Sequence, residues 1–506
     1  MGYVLKWLLL FFFLVGFSVA YRSAIQYRGR PRNPDESQYL AEVAYQARSH
    51  IGWGEVLESG ANRPPHLLVF VITQRLFGNY CWPAVDIAHS MIVGMTAWLL
   101  AITSYQLRTL GWRSRVLMAS VFILHSCLFN EGMTVNSEHL ANLFCVAFLC
   151  CWLAGNSRQS SFIRCGSFVL LGFAVSVKKQ LIPIVFCAPA FWYLSEVIQH
   201  RTRSFLTEMT GCAALFLLPH VIFSFVFGQR IGGADDVSLE YFITSTHEPF
   251  GFIATFAAQL LGDPLMLPAG LIAGTLIART LFRPFLGQKP IASWPLKVTS
   301  TFFLFSLMSV LPGLRLWDHY FMLVIPAALL VMVASIQIVL DAKIIGKTEI
   351  LIASVLWVCL FVPRVIMTYD VADDVEMIQT AEWISDNSET DDQIFVWGWQ
   401  PGLYVLAKRV PGSRFATTNY IVNGIQTTST LPPFDREKLG TLLSDLEESR
   451  PVLFVVAKKN FFTMDKERYN LDNVPLLQDY LRNNYESEPR LSTERFDVYK
   501  IGTGAK

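Results

Sequence analysis

Residues 2–42 read GYVLKWLLLFFFLVGFSVAYRSAIQYRGRPRNPDESQYLAE, an apolar run joined to a polar segment with two adjacent carboxylates, Asp35 and Glu36. The run over 3–21 comes close to the ~20 residues that cross a bilayer, so the acidic pair follows directly on a membrane face. Its local grammar is that of a helix start. Asn33 suits the N-cap, Pro34 the first helical position, and Glu36 stands three residues after the cap. An ionisable pair at a membrane surface is also a candidate for chemistry. The local sequence serves both readings.

The rest of the chain repeats the apolar theme. Of its 506 residues 53% are hydrophobic and only 16% charged, with 38 Phe and 13 Trp, and the mean hydropathy is +0.39. Runs at 83–107, 115–129, 138–154, 162–177, 181–198, 205–228, 251–278, 298–313, 319–340 and 349–368 bring the expected spans to about eleven. The fold class is therefore a mainly α, polytopic membrane helical bundle. The net charge of +1 points away from a nucleic-acid partner. Basic residues mark alternate loops: Arg108, Arg113 and Arg115, then Arg158 and Arg164, then Arg201 and Arg203, with Lys6 at the N-terminus. By the positive-inside rule these loops face the cytoplasm, and 22–82, 130–137, 229–250 and 314–318 face outward.

Two segments need a decision. PPHLLVFVITQRLF, residues 64–77, is apolar but short, and a crossing there would invert every later loop; it reads as a helix in the outer interface. Residues 1–20 end in small residues and read either as a first span or as a cleaved signal peptide. Both leave residue 21 outside.

Composition changes near 370, dividing the chain into 1–369, with its outer loops, and an outward tail, 370–506. In the tail, VEMIQTAEWISDN and DREKLGTLLSDLEES read as helices, and DQIFVWGW, PVLFVVAK and ERFDVYKI as strands. This is a small extracytoplasmic α/β domain. It contains none of the nine cysteines, so no disulfide framework holds it. No outward loop has an Asn-x-Ser/Thr acceptor, in keeping with a bacterial inner membrane. No Walker loop, GxGxxG, HExxH or paired CxxC occurs, so soluble nucleotide chemistry has no motif behind it.

The informative polar residues collect on the outer side. Beyond Asp35 and Glu36 they are Glu138 in TVNSEHLANLF, Lys178 and Lys179 in VSVKKQLIP, and His319 and Tyr320 in LWDHYFMLVIPA. Each has a plainer reading: helix capping for Glu138, snorkelling for the lysines, an ordinary hydrogen-bonding role for His319. The lysines nevertheless sit on the side where positive charge is disfavoured, which makes them an anion-site candidate. Carboxylates, cations and a histidine on one side of a bundle suit transfer from a membrane-anchored phosphate donor. A carboxylate takes the proton of an incoming hydroxyl, and cations hold the departing phosphate. A helix N-terminus at Asn33 favours the ionised Asp35 that a base requires.

In order and context these motifs resemble the GT-C glycosyltransferases, in the bacterial branch related to protein O-mannosyltransferases and lipid A aminoarabinose transferases. The resemblance runs through NPDESQYLAE, NRPPHLLVFVITQRLFG, NSEHLANLF, DHYFMLVIPAALL and DQIFVWGWQPGLYVLAKRVPGSRF, essentially the whole chain. It implies a GT-C bundle, a polyprenyl-phosphate sugar donor and an extracytoplasmic acceptor that is a lipid, glycan or protein. Asp35 would be the base, Glu138 the second acidic residue, and Glu36 a support. Lys178, Lys179 and Arg63 are assigned to the phosphate, and His66, His319 and Tyr320 to the substrate. Asp35 and Glu138 could share a divalent metal, which the sequence does not require; no other cofactor is expected. The alternatives are a transporter or flippase for a lipid-linked sugar, with the acidic pair as its coupling site, and a polysaccharide polymerase or ligase. Transporters often show an internal repeat, and none is visible here.

Overall fold

The computed structural model describes residues 2–26, 34–55, 64–109, 111–126, 136–187, 190, 202–227, 256, 263, 265–274, 294–311, 318–341, 375–419, 421–422, 435–458, 470–488 and 493–502. In chain order the first helices are α1 (Gly2–Gln26), α2 (Pro34–Ser49), α3 (Pro64–Phe77), α4 (Trp82–Gln106), α5 (Trp112–Ser126), α6 (Ser137–Ser157) and α7 (Ser161–Val177). A 3-10 turn, Lys179–Leu181, follows, then α8 (Thr202–Phe227), α9 (Trp294–Met308), a 3-10 segment, Asp318–Leu323, and α10 (Ile325–Asp341). The chain divides into two compact units.

One unit comprises Met1–Arg28, Asp86–Ile222 and Ile231–Val371. Among the described residues four helical stretches are long and apolar enough to cross a bilayer: Gly2–Ser23, Trp82–Gln106, Ser137–Ser157 and Thr207–Val226. They coincide with four of the expected spans, and the protein is a multi-pass membrane protein. The expected span 349–368 lies outside the described residues, as does most of 251–278. Small residues let these helices approach closely. A Cβ on Gly94 would stand 2.7 Å from the Cα of Val15, which seats α4 on α1. A Cβ on Gly172 would collide with the Phe216 carbonyl oxygen, which seats α7 on α8. The Trp98 indole N–H adds a bond to the Trp7 carbonyl at 3.1 Å.

The other unit comprises Gly29–Val85, Phe223–Arg230 and Ala372–Lys506. Its tail contributes α11 (Val375–Asp386), β1 (Gln393–Trp397), α12 (Gly402–Ala407), β2 (Val410–Pro411), α13 (Arg436–Ser449), β3 (Leu453–Ala457), α14 (Pro475–Asn484), β4 (Tyr485–Ser487) and β5 (Phe496–Ile501). The five strands form one sheet in the order β2-β1-β3-β5-β4. β1 pairs in parallel with β2 and β3, while β5 runs antiparallel to β3 and β4.

Side-chain alternation along β1 explains the layering. Ile394 and Val396 enter one buried cluster with Met377, Ala381 and Ile384 of α11. Phe395 and Trp397 enter the other, with Leu439, Leu442 and Leu446 of α13 and Leu477 of α14. A sheet covered on both faces needs nearly continuous apolar strands, and β3 is buried at all five positions. α13 starts at Asp435, whose carboxylate accepts from the backbone N–H of Glu437 and Lys438.

Residues 29–85, which follow α1, belong with this unit. Ala41 of α2 is fully buried in the same cluster as Met377, Leu403 and Tyr404. Contact groups residues 29–85 with the tail although almost 300 residues separate them. α3 has 14 residues, below spanning length, and packs on α2, where the Gln74 amide donates to the Leu40 carbonyl at 2.9 Å.

Candidate active site

In the helical unit the site grows from the α6–α7 hairpin. Asn136 is extended and α6 begins at Ser137, placing Glu138 in the first turn, where the helix dipole favours an anion. At the other end of the hairpin Lys178 leaves α7 in an extended conformation after its N–H bonds the Ala174 carbonyl. The Lys178 Nζ lies 2.5 Å from Glu138 Oε1, and both side chains are buried, 4% and 1% exposed. The Ser137 hydroxyl donates to the other carboxylate oxygen at 3.2 Å.

A third segment closes over the pair. Lys178 Nζ stands 5.0 Å from the centroid of the Tyr320 ring, within cation–π range. Tyr320 is buried on the 3-10 segment Asp318–Leu323, and the Asn142 amide of α6 donates to the Met322 carbonyl at 2.9 Å. Three segments far apart in sequence thus share one buried charge pair. Beside it the ring of His139 lies 6.2 Å from that of His89 on α4, and both are buried.

The lysines, assigned together from sequence, divide here. Lys178 turns inward to Glu138 and Tyr320, whereas Lys179 is half-buried at the start of the 3-10 turn. His319 occupies the 3-10 segment, and its side chain lies outside the described residues.

The other unit holds the remaining candidates. Asp35 stands in the first turn of α2, its side chain outside the described residues, as is the whole of Arg63. Glu36 is buried, as is Glu42 one face further along, whose carboxylate accepts from Gln38 at 2.6 Å. His66 of α3 is fully buried, its ring edge-on to Tyr39 at 4.9 Å and to Phe70 at 5.2 Å. The histidine thereby locks the short apolar helix onto the acidic one. Each unit assembles its own share of the candidates: Glu138, Lys178 and Tyr320 in the first, Asp35, Glu36 and His66 in the second. Among the described residues no three His, Cys, Asp or Glu side chains converge as a metal site.

Sequence reasoning overlooked His125 and Asp263. The His125 Nε2 lies 3.0 Å from Asp263 Oδ2, with both side chains almost fully buried. Asp263 Oδ1 accepts from the backbone N–H of Leu265 and Met266, capping the helical stretch 266–274. The signal was present: an aspartate just before a proline and an apolar run, inside an expected span.

Bilayer-length helices, an acid-bearing helix after the first of them and an α/β unit define a polytopic membrane protein with a buried polar site. No family model and no curated protein matches the sequence. Among solved structures, ArnT from Cupriavidus metallidurans bound to undecaprenyl phosphate is similar over 100% of this chain and 99% of its own, with TM-score 0.54 and 12% identity. The apo state of that protein aligns with 98% of this chain and 97% of its own, at TM-score 0.53 and 14% identity. The archaeal oligosaccharyltransferase AglB from Archaeoglobus fulgidus, in complex with an inhibitory peptide and a dolichol-phosphate, aligns with 98% of this chain and 74% of its own, at TM-score 0.49 and 12% identity. At such identity the end-to-end likeness to ArnT is one of fold. The chain has the GT-C architecture.

Proposed function

We propose that the protein is an integral membrane glycosyltransferase that moves a sugar from a polyprenyl-phosphate donor to an extracytoplasmic lipid, glycan or protein acceptor. The observation that carries this reading is the full-length likeness in fold to ArnT in a structure that holds undecaprenyl phosphate. The buried Glu138–Lys178–Tyr320 cluster supports it, because a buried ion pair in a membrane bundle is costly unless it serves a purpose.

In this mechanism Asp35 takes the proton of the acceptor hydroxyl as its oxygen attacks the anomeric carbon. The bond from that carbon to the phosphate oxygen breaks with its electron pair, polyprenyl phosphate departs, and the configuration inverts. Glu36 supports the base. Lys178, Lys179 and Arg63 are assigned to the phosphate, Lys178 being paired with Glu138, and His66, His319 and Tyr320 to the substrate. The helices within residues 1–369 form the catalytic membrane domain and 370–506, which residues 29–85 join, the extracytoplasmic one, with the site on the outer face.

The test uses the full-length protein in nanodiscs with a panel of undecaprenyl-phosphate sugars and cell-envelope extract, alongside mass spectrometry of glycans and lipids from a deletion strain. Transfer from one donor, and loss of the same sugar in the strain, are expected. An unchanged envelope together with no transfer from any donor would sink the proposal.

A further inference from the structure

We infer that the C-terminal α/β unit positions the acidic helix α2 for the transfer step, with Tyr80, Arg409 and Arg414 as positioning residues. The inference rests on the reading of Asp35 as the base.

Helix α2 has 16 residues and a mostly polar sequence, so by itself it would be marginal in water. Tertiary contacts must therefore fix where its first turn, with Asp35 and Glu36, stands. The tail supplies several. Ala41 is buried in the tail's own cluster, between α2 and the pair α11 and α12. Ser37, the residue after Glu36, is fully buried, and its hydroxyl lies 3.8 Å from where a Cβ on Gly402 would be. That contact is one residue from the acidic pair.

Two polar tethers hold the loop beyond α2. The Tyr80 hydroxyl donates to the Arg409 carbonyl at 2.8 Å. Burial pushes the Tyr80 phenol well up, so it remains a donor at any working pH. The acceptor is itself fixed, because the Arg409 guanidinium donates to the carbonyls of Ser385, Ser388 and Ala407 at 2.8, 2.6 and 2.9 Å. The second tether is Arg414, which grips Asp445 through Nε and Nη2 and reaches Glu55 Oε2 with Nη1 at 2.6 Å. Glu55 follows α2 and Tyr80 follows α3, so both tethers hold the chain that leaves the acidic helix, while Ser37 and Ala41 seat the helix itself. General-base catalysis is sensitive to such placement, since an error of 1 Å costs on the order of a hundredfold in rate.

The experiment uses the full-length chain in nanodiscs. The double variant Glu55→Ala, Tyr80→Phe removes both tethers and leaves Arg414–Asp445 intact. It should fold like the parent and lose about tenfold in kcat with donor KM unchanged. A second variant, Ser37→Cys with Gly402→Cys in a chain whose native cysteines are replaced, should cross-link under diamide, as read by mass spectrometry independently of any transfer. A Cβ at 402 would stand 3.3 Å from the sulfur and 3.4 Å from the methyl of Met377, the far end of a flexible side chain. Cross-linked protein should keep the parental rate and restore the rate of the tether variant. A parental kcat in the tether variant, failure to cross-link, or a cross-linked enzyme that works only after reduction each overturns the inference. Failure of the underlying reading looks different: the parent transfers nothing, whatever the state of the cross-link, and the inference falls with it.

Discussion

Removing Lys178 tests whether its first duty is to Glu138 or to a ligand. The two side chains are 4% and 1% exposed and 2.5 Å apart, so Lys178→Met leaves a carboxylate buried without its cation. Breaking one side of such a pair costs about 3–5 kcal/mol, whereas replacing both sides by apolar groups is often neutral. Glu138→Gln should fall at the lower end of that range, because the Tyr320 face still stabilises the ammonium by up to ~2 kcal/mol. The double variant Glu138→Leu, Lys178→Met should recover to within about 1–2 kcal/mol of the parent, a coupling far above the few tenths expected of independent sites. The assay is unfolding from mixed micelles with added SDS, followed by tryptophan fluorescence for the parent, both single variants and the double. Additive losses would show that the charges do not depend on each other and refute the reasoning. The folded double variant then answers the second question: parental dependence of rate on lipid donor would remove Lys178 from the phosphate site.

Asp35→Asn should abolish transfer by 10²–10⁴-fold, on the order expected for a general base, with normal expression and insertion; Glu36→Gln should cost less, and a near-parental Asp35→Asn enzyme would return the pair to helix capping. Lys179→Gln should weaken use of the lipid donor at saturating acceptor without a stability loss, and Lys179→Arg should restore it, as a point-charge contact requires. Single cysteines at the exposed positions Ala47 and Ser444 should react with impermeant reagents added outside, and one at exposed Ser157 should not. Labelling at 157 but not at 444 in intact cells would reverse the orientation.

The spans were legible because apolar length is a local property: α1, α4, α6 and α8 stand where the runs stand. In the tail, DQIFVWGW, PVLFVVAK and ERFDVYKI became β1, β3 and β5, and the two charged helical patterns became α11 and α13. What escaped notice was short. β2 has two residues and β4 three, too few for a pattern of period two. α14 carries a signal, with Pro475 at its start and Leu477 and Leu481 on one face, but its ten residues are short for a helical period to stand out from the sequence around them.

The candidate site was found residue by residue, since an ionisable side chain at the end of a span is conspicuous by itself. Its pairings were another matter, and one of them had a signal. Glu138 and Lys178 are nearly equidistant from the turn at Gln159, whose left-handed φ of 54° reverses the chain between α6 and α7. Two antiparallel helices of similar rise bring such positions to the same level, so the hairpin dictates that the acid meets a lysine. No comparable rule reaches from α2 to the tail. Ala41 looks like any small helical residue, and its burial beside Leu403 and Tyr404 depends on a fold that closes across more than 300 residues. Position along the chain placed the acidic helix with the first span; the partners that bury it place it in the core of the α/β unit.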